Sequence, residues 1–324
     1  MIYKIFNRFQ SFFSSHILLY HATNKNIPKN LKKSLHNVNP EILYRQIKWL
    51  KNYFDIVSLD SLFDDDANKL GKLAITFDDA YKSVFLETLP LLKTLNVPCT
   101  IFINGASINK KIFWRDKIRY LINCNLTDDF ISLNQNFCKN KNITKKNFYT
   151  KTKNSKCNSK QIDILLDKFF KFKKISINKL RSTIISKDQL KKDPLITYGN
   201  HTYNHYVLSS LTKEEQETEI LRNQKILKNL DINYSKVFSV PFGRSNDINN
   251  DTIDLIKKYN YKAFLYSDNK INLVPLNKKI ENRSFSLLSG ERYMVQPSFN
   301  LFQKHLFKLG VKGLISHCRG KKLM

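Results

Sequence analysis

Lys72-Leu-Ala-Ile-Thr-Phe-Asp-Asp-Ala80 is the stretch whose reading decides the fold. A short apolar run ending in turn-prone residues reads as a buried strand. Two carboxylates at its tip, Asp78 and Asp79, cannot both be buried without partners, because an unpaired buried charge is costly. Neighbouring strand residues point to opposite sides, so the two have different tasks. A metal ion would resolve the charge and use both. The run also fits the Walker B strand of a nucleotide hydrolase, but that reading needs a GxxxxGK[ST] loop. None is present; Gly71-Lys72 is followed by leucine. An edge strand ending in a solvated turn fits the stretch alone as well as catalysis does. The rest of the chain decides.

Outward from this strand the pattern alternates. His16-Ile-Leu-Leu-Tyr-His21 reads as a short buried strand ending in histidine, and Asn39 and Pro40 open a helix whose Leu43, Ile47 and Leu50 share a face. Ile56–Leu59 is a short strand, Tyr81–Leu95 a helix, and Pro98–Asn104 the next buried strand. The rhythm resumes with a strand at Leu195–His201, a helix at Lys213–Leu230, and strands at Val237–Gly243 and Lys262–Tyr266 around a helix at Asp251–Tyr259. Alternating strands and helices predict an α/β fold with a parallel sheet or barrel. Residues 109–185 interrupt it. Phe113–Ile122 and Ile162–Phe172 have helical patterns, while the Lys/Asn/Ser/Thr tract Cys138–Lys160 predicts an exposed or mobile insertion. Beyond about residue 290 no organisation is evident.

Composition narrows the class less than the motifs do. Hydrophobic content of 42% with 23 Phe and 15 Tyr excludes global disorder in a chain of 324 residues. The net charge of +28 suggests anionic surroundings, such as phospholipid, nucleic acid or acidic glycan. Lys, Asn and Ile are spread throughout, however, and no Arg-rich cluster stands out. Cys99, Cys124, Cys138, Cys157 and Cys318 form no CxxC pair, which argues against a zinc ribbon or redox motif and towards a reducing compartment. In residues 1–15, Ile2, Ile5, Phe6, Phe9, Phe12 and Phe13 share a helical face. The segment is a poor signal peptide and too short and polar to span a bilayer, so it is expected to pack on the domain or lie in a membrane interface.

His201-Thr-Tyr-Asn-His205 sets two imidazoles four residues apart just after a strand and Gly199. Alone an HxxxH is a weak signal. Its value is that it occupies the same strand-tip position as Asp78-Asp79, and barrel active sites lie at the C-terminal ends of strands. One carboxylate and two histidines would leave a metal open positions for water and substrate.

With these motifs in order, the chain resembles the polysaccharide deacetylases of the NodB-homology class (carbohydrate esterase family 4). Thr76-Phe-Asp-Asp-Ala80 matches the family's TFDD[GA], His201-Thr-Tyr-Asn-His205 its H[ST]xxH, and Pro241-Phe-Gly243 its P-[FY]-G. The resemblance covers about residues 16–285. It implies a distorted (β/α)7-type barrel over 16–290 carrying the 109–185 insertion, with 291–324 as a C-terminal extension. It implies a divalent metal, zinc above all, on Asp79, His201 and His205, with Asp78 as the base that activates water. It places the oxyanion and substrate at Pro241, Phe242 and Gly243, through a backbone N–H near Phe242. Two departures stand out. Ser239-Val240 replaces the arginine that usually precedes the Pro and orients the base, and Arg283 is the expected substitute. The usual last strand ending Leu-His is missing near the C-terminus. Leu18-Leu-Tyr-His21 is read as that strand moved to the N-terminus, a circular permutation like that of poly-N-acetylglucosamine deacetylase relatives. His21 would then be the general acid, with Asp268 a possible helper.

The expected function is removal of an N-acetyl or N-formyl group from an amino sugar. The substrate would be either a polysaccharide or a lipid-linked or nucleotide-linked sugar at the cytoplasmic membrane face. The basic N-terminus and free cysteines favour the latter and a cytoplasmic, peripheral location. A catalytically idle glycan-binding relative, and a nucleic-acid binder motivated by charge alone, are the competing classes.

Overall fold

The alternation read from the sequence sets the sheet. The computed structural model describes residues 14–64, 69–176, 178–273 and 287–318; residues 1–13 of the expected N-terminal helix lie outside them. Ten strands form: β1 (Ser14–Tyr20), β2 (Asp55–Ile56), β3 (Lys72–Phe77), β4 (Cys99–Ile103), β5 (Ile196–Asn200), β6 (Tyr234–Ser239), β7 (Ala263–Tyr266), β8 (Asn272–Leu273), β9 (Leu288–Glu291) and β10 (Tyr293–Met294). Their order is β10-β1-β3-β4-β5-β6-β7-β9, every pair along it parallel, with β2 beside β3 and β8 antiparallel to β1 off the path.

β9 and β10 are separated only by Arg292, so Leu288–Met294 spans from β7 on one side to β1 on the other and closes the ring. Taken as one interrupted strand, it gives a nearly closed barrel with seven strand positions. β1 lies between β3 and this closing strand, where the moved strand was expected. The boundary anticipated at residue 290 falls inside the closing strand, and the helix Phe299–Cys318 beyond it packs on Pro40–Leu50.

Alternation sorts the side chains into layers. Ile17, Ala74, Phe102, Val237, Ala263, Leu265 and Leu288 form one buried cluster inside the barrel. Their neighbours Leu18, Leu73, Ile75, Ile101 and Ile103 face outward into the cluster under the helices, among them Leu43 and Ile47. Gly290 belongs to the inner layer: a Cβ there would meet Phe63 at 2.8 Å and Leu265 at 3.1 Å.

The tract expected to be exposed or mobile is folded, with many of its polar residues at the surface. Residues 114–172 fold into helices, chiefly Trp114–Asn123, Thr127–Leu133, Gln135–Asn140 and Ser159–Phe172. Phe130, Phe148 and Phe169 are buried with Phe130 edge-on to both others at 5.5 Å, and Cys138, Ile143 and Cys157 are buried with them. Phe130, Cys138, Ile143, Phe148, Cys157 and Phe169 go inward, while Leu133, Ile164 and Phe172 are exposed along with Lys139, Asn140, Lys145 and Lys146. Cys99 is a buried thiol.

Candidate active site

Two or four residues beyond the inner apolar layer, the same alternation delivers polar side chains to the C-terminal rim. Ile17 leads to His21, Ala74 to Asp78, Val237 to Ser239, Leu265 to Ser267, and Leu288 through Gly290 to Arg292. The rim is polar because the strands change composition there while keeping their register.

Asp78 is held on both oxygens. Arg292 donates from Nη1 to Oδ1 at 2.7 Å and from Nη2 to Oδ2 at 2.9 Å, a bidentate pair with both side chains buried. Ser267 Oγ takes further bonds from Arg292 Nη2 and Nε, at 2.9 and 3.2 Å. Burial alone would raise the Asp78 carboxyl, but Arg292 and His201 outweigh it and hold it below its ordinary value. Asp78 is thus an ionised, oriented carboxylate.

The guanidinium expected from Arg283 therefore comes from Arg292; Arg283 lies outside the described residues. The closing strand supplies what the Ser239-Val240 segment lacks. Ser239 has its own tasks, since its carbonyl accepts from His201 Nδ1 at 2.8 Å and its hydroxyl reaches Asp78 Oδ1 at 3.4 Å. The bond to Ser239 fixes the proton on Nδ1 and leaves His201 Nε2 with a free lone pair.

Asp79, His201 and His205 converge. One ligand atom from each lies within 4.8 Å of the others, and all three residues are buried. His205 Nε2 is 3.4 Å and His201 Nε2 3.8 Å from Asp79 Oδ1. Asp79 Oδ1 has no hydrogen-bond partner. Burial and the adjacent Asp78 push the Asp79 carboxyl well up, and burial pushes both histidines down. A buried carboxylate with an unused oxygen beside two neutral imidazoles is a donor set that fits a divalent cation. The backbone is bent to make it: Asp79, Ala80, Thr202 and His205 all have φ between 54° and 70°. Such conformations cost on the order of 1 kcal/mol or more for a residue with a Cβ.

Pro241, Phe242 and Gly243 border this triad. The Phe242 ring meets His205 edge-on at 4.7 Å, and Phe113 packs the same imidazole from another side at 5.2 Å. Phe242 and Gly243 both have positive φ, 63° and 73°. At Gly243 a Cβ would come within 2.5 Å of Ser267 Oγ, so the turn requires glycine.

His21 follows Tyr20, whose strand partner is Phe77, so His21 stands beside Asp78 across β1 and β3. Its partner is His36, with the two Nδ1 atoms 3.2 Å apart, and His36 Nε2 bonds the carbonyl of Val295 at 2.7 Å. A carbonyl only accepts, so His36 carries its proton on Nε2 and accepts on Nδ1. His21 therefore donates from Nδ1, and its Nε2 remains available. Asp268, the residue considered as its helper, instead pairs with Lys270 at 3.5 Å. Arg292 and His36 are the site residues that sequence reading did not single out. The alternation Leu288-x-Gly290-x-Arg292 carried a signal for the first; His36 had none.

Three comparisons bear on this geometry. The sequence model of the polysaccharide deacetylase family matches residues 65–130 and 185–264, skipping most of the helical insertion. His21, His36 and Arg292 lie outside the matched residues. No curated protein matches the chain. Among solved structures, Streptococcus pyogenes deacetylase PplD in complex with acetate is 16% identical, with 91% of this chain and 97% of that one covered at a TM-score of 0.53. A de-N-acetylase from Aggregatibacter actinomycetemcomitans is 14% identical, covering 90% and 99% at 0.54. IcaB from Ammonifex degensii is 13% identical, covering 92% and 97% at 0.51. At these identities the likeness is one of fold.

Proposed function

The chain belongs to the polysaccharide deacetylase family, hydrolases of the amide C–N bond of N-acetylated sugars, and from that premise we propose a division of labour among its rim residues. The observation that carries the proposal is the split between the two adjacent carboxylates. Asp78 is ionised and fully engaged by Arg292, while Asp79 presents an unsatisfied oxygen to two histidines.

Asp79, His201 and His205 would hold a divalent cation, zinc being the ion whose preferred donors these are. When bound, such an ion supplies Lewis-acid polarisation of the acyl oxygen and a water acidic enough to ionise near neutrality. Asp78 accepts the proton of the attacking water, its carboxylate aimed and kept ionised by Arg292. The positive-φ turn at Phe242 and Gly243 borders the position of the developing oxyanion, for which a backbone N–H is a suitable donor. His21 gives a proton to the departing amine as the imidazolium, its Nδ1–H held on His36 and the transferred proton carried on Nε2. An N-acylated amino-sugar glycan or glycoconjugate is the substrate class.

The test is metal content together with acetate and formate release from N-acyl hexosamine oligomers and sugar conjugates. The reading expects about one metal per chain, lost in a His201→Ala/His205→Ala variant, and release that requires it. Purified protein that binds glycan and metal but releases no acyl group from any of these substrates would overturn the hydrolytic assignment of Asp78.

A further inference from the structure

The helical insertion brings cations to the edge of the site without matching carboxylates. Arg115, on Trp114–Asn123, is 1% exposed. It donates to Thr152 Oγ1 at 3.1 Å and to the Tyr149 carbonyl at 3.0 Å, lies over the Trp114 and Tyr149 rings at 4.8 and 4.5 Å, and leaves Nε without a partner. Lys153 Nζ stands 5.1 Å from the Tyr149 ring and 5.7 Å from the Phe242 ring. Phe242 is the residue edge-on to His205. The half-buried ammonium is thus one aromatic ring away from the ligand triad. Arg244 follows Gly243 in the same turn and is exposed.

Among the described residues, no carboxylate lies within ion-pair distance of Arg115, Lys153 or Arg244. Of the acids nearby, Asp116 is engaged by other groups, while Asp247, raised by burial, is close enough to Arg244 and Lys153 for both to oppose that rise. Asp116 binds Arg119 at 2.6 Å and Tyr81 at 2.9 Å, and Asp247 accepts the backbone N–H of Arg244 at 2.9 Å. The crowding is felt locally. Burial alone would raise the Tyr149 phenol, but Arg119, Arg115 and Lys153 overturn that and bring it to about 7. Burial lowers the Lys153 ammonium, and Arg115, Arg244 and Arg119 add to that against the opposing pull of Tyr149.

Like charges gathered at low exposure beside a substrate site are compensated when an anion joins them. A guanidinium and an ammonium together match the oxygens of a phosphate or carboxylate. We propose that Arg115, Lys153 and Arg244 form a subsite for an oxyanion, phosphate or carboxylate, carried by the substrate next to the N-acyl group. This deepens the deacetylase reading and rests on it for the remainder of the substrate. Because Phe242 borders both places, the oxyanion belongs on the same sugar or its immediate neighbour.

The experiment is binding, by calorimetry or ligand-observed NMR, of N-acetylglucosamine 1-phosphate, N-acetylmuramic acid and neutral N-acetylglucosamine. At low salt at least one charged sugar binds roughly tenfold more tightly than the neutral one, the gain of one charge-assisted contact, and salt narrows the gap. Whichever of the two is preferred identifies the oxyanion. Lys153→Ala and Arg244→Ala each shrink the gap, the double variant closes it, and Lys153→Arg keeps it. Both positions are accessible enough to be changed without touching Arg115. Equal affinity for the three sugars, or a preference unchanged in the double variant, overturns the subsite. The two readings fail separately: a protein that prefers charged sugars but releases no acyl group loses the hydrolase and keeps the subsite. One that binds and deacetylates charged and neutral sugars alike does the reverse.

Discussion

Two buried carboxylate groupings, both bordering the histidine loop, are satisfied in opposite ways. Asp163, on the insertion helix Ser159–Phe172, has both oxygens engaged: Oδ1 by Lys117 at 2.7 Å, Oδ2 by Lys111 at 2.9 Å and by the Tyr206 hydroxyl at 2.7 Å. At the rim, Asp79 keeps a buried oxygen with no partner. Asp163 joins the insertion to the residue directly after His205, and Lys111 also reaches Asn204 in the histidine loop at 3.0 Å. A buried carboxylate whose bonds are complete is a fastening. One left incomplete is a place prepared for something else.

Asp78 gives the sharpest test of the distinction. Asp78→Asn keeps the shape and some of the hydrogen bonding to Arg292 but removes the basic oxygen. Acyl release should fall by about 10²–10⁴-fold, the usual contribution of a positioned base. Metal content and the urea midpoint should change little by comparison. If activity survived within a few-fold, the carboxylate held by Arg292 would be a fastening like Asp163.

Asp163→Ala should do the opposite. It strands Lys117, although Lys117 retains Asp167, so the loss of stability belongs near the lower end of the range for breaking a buried pair, about 3 kcal/mol. Burial would raise the Asp163 carboxyl, but Lys117 and Lys111 outweigh it and hold it below its ordinary value. A depressed folded value means the unfolded chain takes up the proton more readily. The stability Asp163 contributes is therefore complete above about pH 4 and is lost as pH falls through the folded value. Urea melts should show the wild type and the variant far apart at pH 7 and converging in acid. A variant as stable as wild type at pH 7 would remove the contrast.

What the sequence disclosed follows the same division. Asp78, Asp79, His201 and His205 were legible because each pair sits in a contiguous motif at a strand tip, where strand geometry leaves few other uses for it. Arg292 was not, because its contact with Asp78 spans 214 positions and the strand that carries it closes the barrel far along the chain. An arginine had been sought nearer the third motif, and the inward alternation of Leu288, Gly290 and Arg292 was the better guide. His36 lies in a polar loop whose one β-type pairing is the isolated Ala22–Asn37 bridge among the described residues, and no local sequence pattern marks it. The insertion misled for a compositional reason. Its fold rests on a few buried rings such as Phe130, Phe148 and Phe169, diluted among lysines and asparagines that face water.

Metal addition tests the incomplete side of the comparison directly. A ligand that binds only the folded state stabilises it by ~2.7 kcal/mol at a hundredfold excess over its Kd. Zinc added to chelator-treated protein should raise the urea midpoint by that order, and Asp79→Asn should abolish the rise. Asp163→Ala, destabilised though it is, should still respond. Equal stabilisation of wild type and Asp79→Asn would mean that the unsatisfied oxygen is not where the ion goes.

The smallest effect separates a bond that completes the site from one that merely fills space. His36 accepts from His21 and donates to Val295, so it is fastened like Asp163 yet touches a rim residue like Asp78. His36→Leu removes two part-buried hydrogen bonds, each worth ~0.5–1.5 kcal/mol, and frees the His21 ring to turn or change tautomer. If that ring delivers the proton, the loss appears as a fall in kcat of roughly tenfold with KM nearly constant. His36→Gln can accept with its carbonyl and donate with its amide, and should recover most of the rate. A purely structural His36 would instead lower stability in both variants and leave the kcat of the folded fraction alone. Either result tells on which side of the comparison His21 belongs, since a histidine at a strand end is catalytic only if its orientation matters to the reaction.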